Sequence, residues 1–144
     1  MAESLAAHLF STEATTQMRI GRLIMGTLYI GAGTLHFIAT RTYTGIMPSY
    51  LPAHRELVYL SGGAEILGGI GVLIRQTRQP AAWGIILLLV AVFPANITMI
   101  TEHSRFPEVP FWAAWLRLPL QLPLIYWAWL YTRPEGSHQQ AEGA

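Results

Sequence analysis

Four long apolar runs alternate with short polar stretches along the chain, over residues 18–39, 55–74, 80–100 and 111–132. Each is near 20 residues, and at 1.5 Å of rise per residue a helix of about that length crosses roughly 30 Å of hydrocarbon. Prolines shape the runs. Pro80 suits a first helical turn, Pro94 bends the third run and frees a backbone carbonyl, and Pro119 and Pro123 distort the fourth. The pattern predicts an all-α fold: a polytopic membrane protein built as a bundle of four transmembrane helices in one domain, residues 18–132.

The connecting stretches differ in character. Residues 1–17 read as a polar or weakly amphipathic lead, either a short helix on the membrane surface or a loose end. The apolar stretch 5–10 is too short, and Glu3 too acidic, for a signal peptide. Residues 40–54 hold Pro48 and Pro52, which forbid one continuous helix, yet Met47 and Tyr50 make them too apolar for a free linker. They are expected to form an interfacial flap over the bundle mouth, where protein or water shields irregular backbone. Residues 75–78 and 101–110 are polar turns, and 133–144 are expected to be a disordered tail.

Composition agrees with lipid as the solvent. Of 144 residues, 52% are hydrophobic and only 12% charged, where soluble domains carry about 25% charge. Mean hydropathy is +0.36. A net charge of +1 gives no reason to expect a nucleic-acid partner. There is no cysteine, which removes disulfides, CxxC redox chemistry and thiolate metal sites together. Every basic residue is arginine. Arg19, Arg22, Arg75, Arg78 and Arg133 flank one end of the expected bundle; Arg41, Arg55 and Arg105 flank the other. The excess places both termini in the cytoplasm.

The polar residues inside the runs carry the candidate chemistry. Glu65 lies near the centre of the second run, with Ser61, Gly62, Gly68 and Gly69 on its own helix face. A charge at that depth costs several kcal/mol, about 3 on insertion scales, unless paired, protonated or wetted, and small residues let other helices approach it. Counting rise along each run puts His36 and Asn96 roughly 5 Å inside the outer edge, Arg117 roughly 10 Å, and Glu65 and Gln121 roughly 15 Å. Each run contributes at least one such group, in the outer half or at the midplane, while the inner half is aliphatic, glycine and aromatic.

Two readings follow. In one, Glu65 pairs with Arg117 as a structural clamp, with His36, Asn96 and Gln121 adding hydrogen bonds; Asn96 is also placed to satisfy the carbonyl freed by Pro94. In the other, His36, Glu65, Asn96, Arg117 and Gln121 line a pocket for an amphipathic ligand, with His36 and Glu65 as candidate proton-transfer residues. His54 and His103 are expected to be exposed loop histidines. A metal site from His36, Glu65 and His103 lacks any ligand-spacing signature, so no metal is expected. The glycines of 62–71 have no GKS/T ending and no preceding strand, so they pack helices rather than cradle phosphate.

Six segments in order, GTLHF (33–37), IMPSYLP (46–52), YLSGGAEILGG (59–69), AWGI (82–85), VFPANI (92–97) and RLPLQ (117–121), resemble the DoxX-like family of small four-helix membrane proteins. The resemblance covers roughly residues 20–132. It implies a four-span bundle in a bacterial inner membrane, and the family motif maps onto His36, Glu65, Asn96 and Arg117. Named members of that family are tied to thiosulfate:quinone oxidoreduction and to membrane-associated oxidative-stress complexes, and more distant relatives to membrane-protein assembly and cargo reception. No cofactor ligand set carries over; a quinone is expected, if at all, as ligand.

The expected function is thus binding of a quinone or lipid in the outer half of the bundle, as an accessory to quinone-linked redox or oxidative-stress chemistry. If the protein is an enzyme, it is expected to be a quinone-linked oxidoreductase subunit. The alternative is a membrane-protein assembly chaperone or scaffold, or a homodimer, using the same polar groups to hold partner helices.

Overall fold

A computed structural model describes residues 2–107 and 109–134, with side chains from residue 15 onward. The described residues are all-helical: α1 (Ala2–Ile38), α2 (Thr40–Gly45), α3 (His54–Leu73), α4 (Arg78–Thr101) and α5 (Phe111–Leu130), with one 3-10 turn at His103–Arg105. The expected tail lies outside the described residues from 135 onward. At the other end α1 begins at Ala2, so the lead and the first apolar run form one helix.

Proline and glycine account for several boundaries. Pro110 caps α5 and Pro80 sits in the first turn of α4, where its missing N–H has no helical partner to lose. Pro94, Pro119 and Pro123 lie inside helices. Between α2 and α3 the chain reverses at Ala53, in the left-handed region with φ 54°, a conformation that costs a non-glycine residue about 1–2 kcal/mol.

The four long helices pack in a chain of neighbours: α1 on α3, α3 on α4, and α4 on α5. α5 returns to α1 at one end, where the Tyr131 hydroxyl donates to Met18 O at 3.2 Å and lies against Gly21. That end holds the core cluster of Met25, Val72, Ala82, Ile85, Ala128 and Tyr131. There Arg78 also donates to Arg133 O at 2.6 Å. A second cluster, Met99, Phe106 and Ala114, closes the opposite end with Ile46 from the segment after α2.

Contacts between α1 and α3 are unusually close. A Cβ added at Gly33 would lie 2.5 Å from Gly62 O, and one at Gly69 would lie 2.7 Å from Gly26 O. The pairs Gly33–Gly62 and Gly26–Gly69 step seven residues along each helix in opposite directions. This is the register of two antiparallel helices joined on a seam without side chains.

Outside, the pattern is reversed relative to a water-soluble bundle. Leu67 (72% exposed), Leu122 (70%), Leu87 and Leu28 point outward, while Gly33, Gly62, Gly68 and Ala114 are buried. Apolar area on this scale on every long helix exceeds the scattered exposed leucines of ordinary soluble proteins. Among the described residues, α3 and α4 are long and apolar enough to cross a membrane.

Candidate functional site

The glycine seam determines where Glu65 goes. A Cβ at Gly33 would lie 2.9 Å from the Glu65 Cβ, so the bare backbone of α1 is what admits that side chain to the α1–α3 interface. One turn further along α1, His36 is buried. Its Nδ1 lies 3.0 Å from Ala32 O and 3.5 Å from Glu65 Oε2. A carbonyl oxygen can only accept, so Nδ1 carries a hydrogen and points it at Ala32. Glu65 Oε2 is left buried with no hydrogen-bond partner.

The pair is capped by α2. The chain bends at Ala39, Thr40 Oγ1 donates to His36 O at 2.8 Å, and helix resumes through residue 45. Tyr43 is thereby returned over His36, the rings stacked with centroids 3.9 Å apart. Burial, and then the Glu65 charge, push the Tyr43 hydroxyl above its ordinary range, while Arg117 pulls it down. Tyr43 therefore stands in the fields of a carboxylate on α3 and a guanidinium on α5.

The flap of 40–54 is anchored rather than loose. Pro48 is fully buried, and the His54 ring N–H donates to Pro48 O at 3.0 Å. His103 makes the matching bond to Val109 O, at 2.8 Å, in the other turn at this end. Both histidines are half-buried loop staples, not the exposed groups expected, because each loop folds back and offers a carbonyl to the ring. Met47 is half-buried and Tyr50 is 71% exposed. The flap residue over the site is Tyr43, rather than the Met47 and Tyr50 singled out in the sequence.

Asn96 and Gln121 form a separate pair on α4 and α5. Asn96 Nδ2 donates to Gln121 Oε1 at 3.4 Å, and Gln121 Nε2 donates to Leu89 O. Leu89 is one residue before Val90, whose carbonyl Pro94 deprives of its usual i+4 donor. It is Gln121 from the neighbouring helix that serves a carbonyl next to this break, not Asn96 as expected.

The five groups expected in one cluster are thus divided. His36 and Glu65 meet across α1–α3, Asn96 and Gln121 meet across α4–α5, and Arg117 is exposed on α5. Among the described residues no ion pair joins Glu65 to Arg117. The seam at Gly33 and Gly62 turns Glu65 toward α1, and rise along a helix says nothing about which neighbour a side chain faces. No group of three or more His, Cys, Asp or Glu among the described residues is placed to hold a metal ion.

One family model matches this chain, over residues 25–132, described as a domain of unknown function. No curated protein and no solved structure matches.

Proposed function

The chain belongs to that family, DUF8561, and on this premise we propose that it is a four-span membrane protein that binds an amphipathic small molecule, a quinone or a lipid, with its polar head at His36 and Glu65. α1, α3, α4 and α5 are the spans. The large aliphatic side chains exposed on every long helix, outside an interior with glycine at the α1–α3 seam, support lipid as the solvent. The arginine excess at the Arg78 end puts that end in the cytoplasm and the flap in the outer leaflet of a bacterial inner membrane. The resemblance to DoxX-like proteins points the same way.

The observation that carries the binding reading is the Glu65 Oε2 atom, buried without a donor. In a low-dielectric interior such an atom costs about 1–3 kcal/mol, and a ligand O–H would remove that cost. His36 and Glu65 together can hold one exchangeable proton, as neutral acid with neutral imidazole or as carboxylate with imidazolium. The pair has no net charge in either form, and since Nδ1, the ring nitrogen facing Glu65, already carries a hydrogen, a proton taken up by the imidazole would go to Nε2. With a quinol as ligand, ionised Glu65 beside neutral His36 would accept a hydroxyl proton and leave a bound quinolate; removing its electrons would require a separate electron acceptor. Asn96 and Gln121, bonded to each other across α4–α5, are not part of this head-group site.

A second reading is favoured by one observation. Arg117 is exposed in the middle of an apolar stretch of α5. A partner helix carrying a carboxylate, in an assembly or a homodimer, would neutralise it, which is what a chaperone or scaffold would exploit.

Native mass spectrometry of protein released from native membrane, wild type beside Glu65→Gln, tests the binding reading. A defined quinone or lipid retained by the wild type and lost from the variant is expected. Equal retention by both, or none by either, would contradict it.

A further inference from the structure

A second polar site lies on the outer side of α1–α3, away from Glu65. A cleft of about 420 Å³ is lined by Phe37, Thr40, Arg41, Thr44, Arg55 and Tyr59. Its lining has two cations and no carboxylate; Glu56, whose charge reaches Arg55, is next to it in the chain but outside the lining. Among the described residues, Arg55 is held by Tyr59 alone: Nε donates to the Tyr59 hydroxyl at 3.1 Å, and the guanidinium stands 5.6 Å from the centroid of the same ring. With Nε so engaged, the two terminal NH2 groups form a fork that makes no described bond within the protein. Tyr59 is in turn stacked on Phe37, centroids 5.4 Å apart and planes 5° from parallel. Arg41 is carried by α2, and Thr44 Oγ1 donates to Arg41 O at 3.0 Å, holding that turn. Two like charges facing one cleft repel until an anion sits between them, and a planar guanidinium fork matches a tetrahedral oxyanion.

We propose that the Arg41–Arg55 cleft is a binding site for a phosphate group, either the head of an anionic phospholipid or a free phosphate. The surroundings fit a lipid: Phe37 and Ile38 are 46% and 76% exposed beside the cleft and offer an apolar bed for the chains. Only the lipid source rests on the chain spanning a membrane. The site is independent of Glu65, so the two can fail separately.

The test uses the full-length protein, wild type, Arg41→Gln/Arg55→Gln and Arg105→Gln. The last removes an arginine at the same end that lies outside the cleft and already pairs with Glu102. Each is exchanged into nanodiscs of phosphatidylcholine with and without phosphatidylglycerol, and retained lipid is counted by native mass spectrometry. Thermal unfolding in detergent is measured with and without inorganic phosphate. Selective retention of phosphatidylglycerol that weakens about fivefold for each cleft arginine, roughly 30-fold for the double variant, supports the lipid source. Stabilisation by phosphate that the double variant lacks, with both lipids retained alike, supports the free anion. Neither effect in the wild type, or an equal loss in Arg105→Gln, overturns the proposal. Unfolding of the three proteins without lipid or phosphate separates loss of the site from loss of the fold. Retention of the Glu65 ligand by the double variant is expected whichever source is right.

Discussion

Two of the interhelical seams of this protein, α4–α5 and α1–α3, treat polar groups in opposite ways. Between α4 and α5, two neutral amides bond to each other and to a carbonyl beside the break at Pro94, so each side chain has a partner within the protein. Between α1 and α3, backbones meet glycine to glycine, and the space so opened holds a carboxylate whose one buried oxygen has no donor. A seam that completes its own bonds contributes stability. One that leaves an acceptor buried and unmet contributes a place for something else, at a cost in stability that close packing must offset.

The widest break in that contrast is expected from the glycines. Gly33→Leu or Gly62→Leu should destabilise the bundle by about 3 kcal/mol or more, because the added atoms meet backbone across the seam rather than a side chain that can swing away. Gly31→Leu, whose Cβ would meet nothing within 4 Å, should be neutral within about 0.5 kcal/mol. Denaturant titration in mixed micelles reads all three.

Next come the two polar pairs, where the seams should respond in opposite ways. Glu65→Gln should leave unfolding unchanged and weaken ligand retention about tenfold or more, the worth of a charge-assisted hydrogen bond. Gln121→Leu should do the reverse, costing about 1–3 kcal/mol by stranding Asn96 and Leu89 O while retention holds. Unfolding and retention measured on the same two variants would erase the distinction if both moved together.

A smaller effect is expected at the flap. Tyr43→Ala removes the ring stacked on His36, worth about 1 kcal/mol, and should speed ligand exchange about fivefold without changing which ligand is held. Exchange rates in nanodiscs with an isotopically labelled ligand measure it.

The smallest is a pH effect. Because the Tyr43 hydroxyl titrates above its ordinary value, the folded protein holds that proton more tightly than the unfolded chain. The resulting stability is fully present below about pH 10 and is lost as pH rises through the raised value. Tyr43→Phe should flatten that part of the alkaline decline in unfolding stability and leave neutral stability as it was. An identical decline in both would detach Tyr43 from the Glu65 side of the molecule.

Much of the helical layout was legible in the chain. The run at 55–74 became His54–Leu73, and that at 80–100 became Arg78–Thr101, because apolar runs bounded by proline and arginine leave few other choices. Glu65 stood out for the same reason that any carboxylate does among glycines and aliphatics. Its partner did not. Rise per residue gives height along a bundle but not the direction a side chain faces, so Arg117 at a plausible height was expected where His36 is found. That direction follows from Gly33 meeting Gly62, a tertiary contact with no local signature. Tyr43 was hidden differently. Pro48 and Pro52 argued for a loop throughout 40–54, whereas the chain bends once at Ala39 and makes another turn of helix before them, seven residues after His36.

The central claim is that the buried Glu65 oxygen is a ligand acceptor and not a structural remnant. A structure of the wild-type protein carried out of the membrane in its own lipids tests it most directly. The account predicts a polar head-group atom within ~3 Å of Glu65 Oε2, beneath Tyr43. Glu65 closed against protein groups alone, with every bound molecule elsewhere on the bundle, would contradict it.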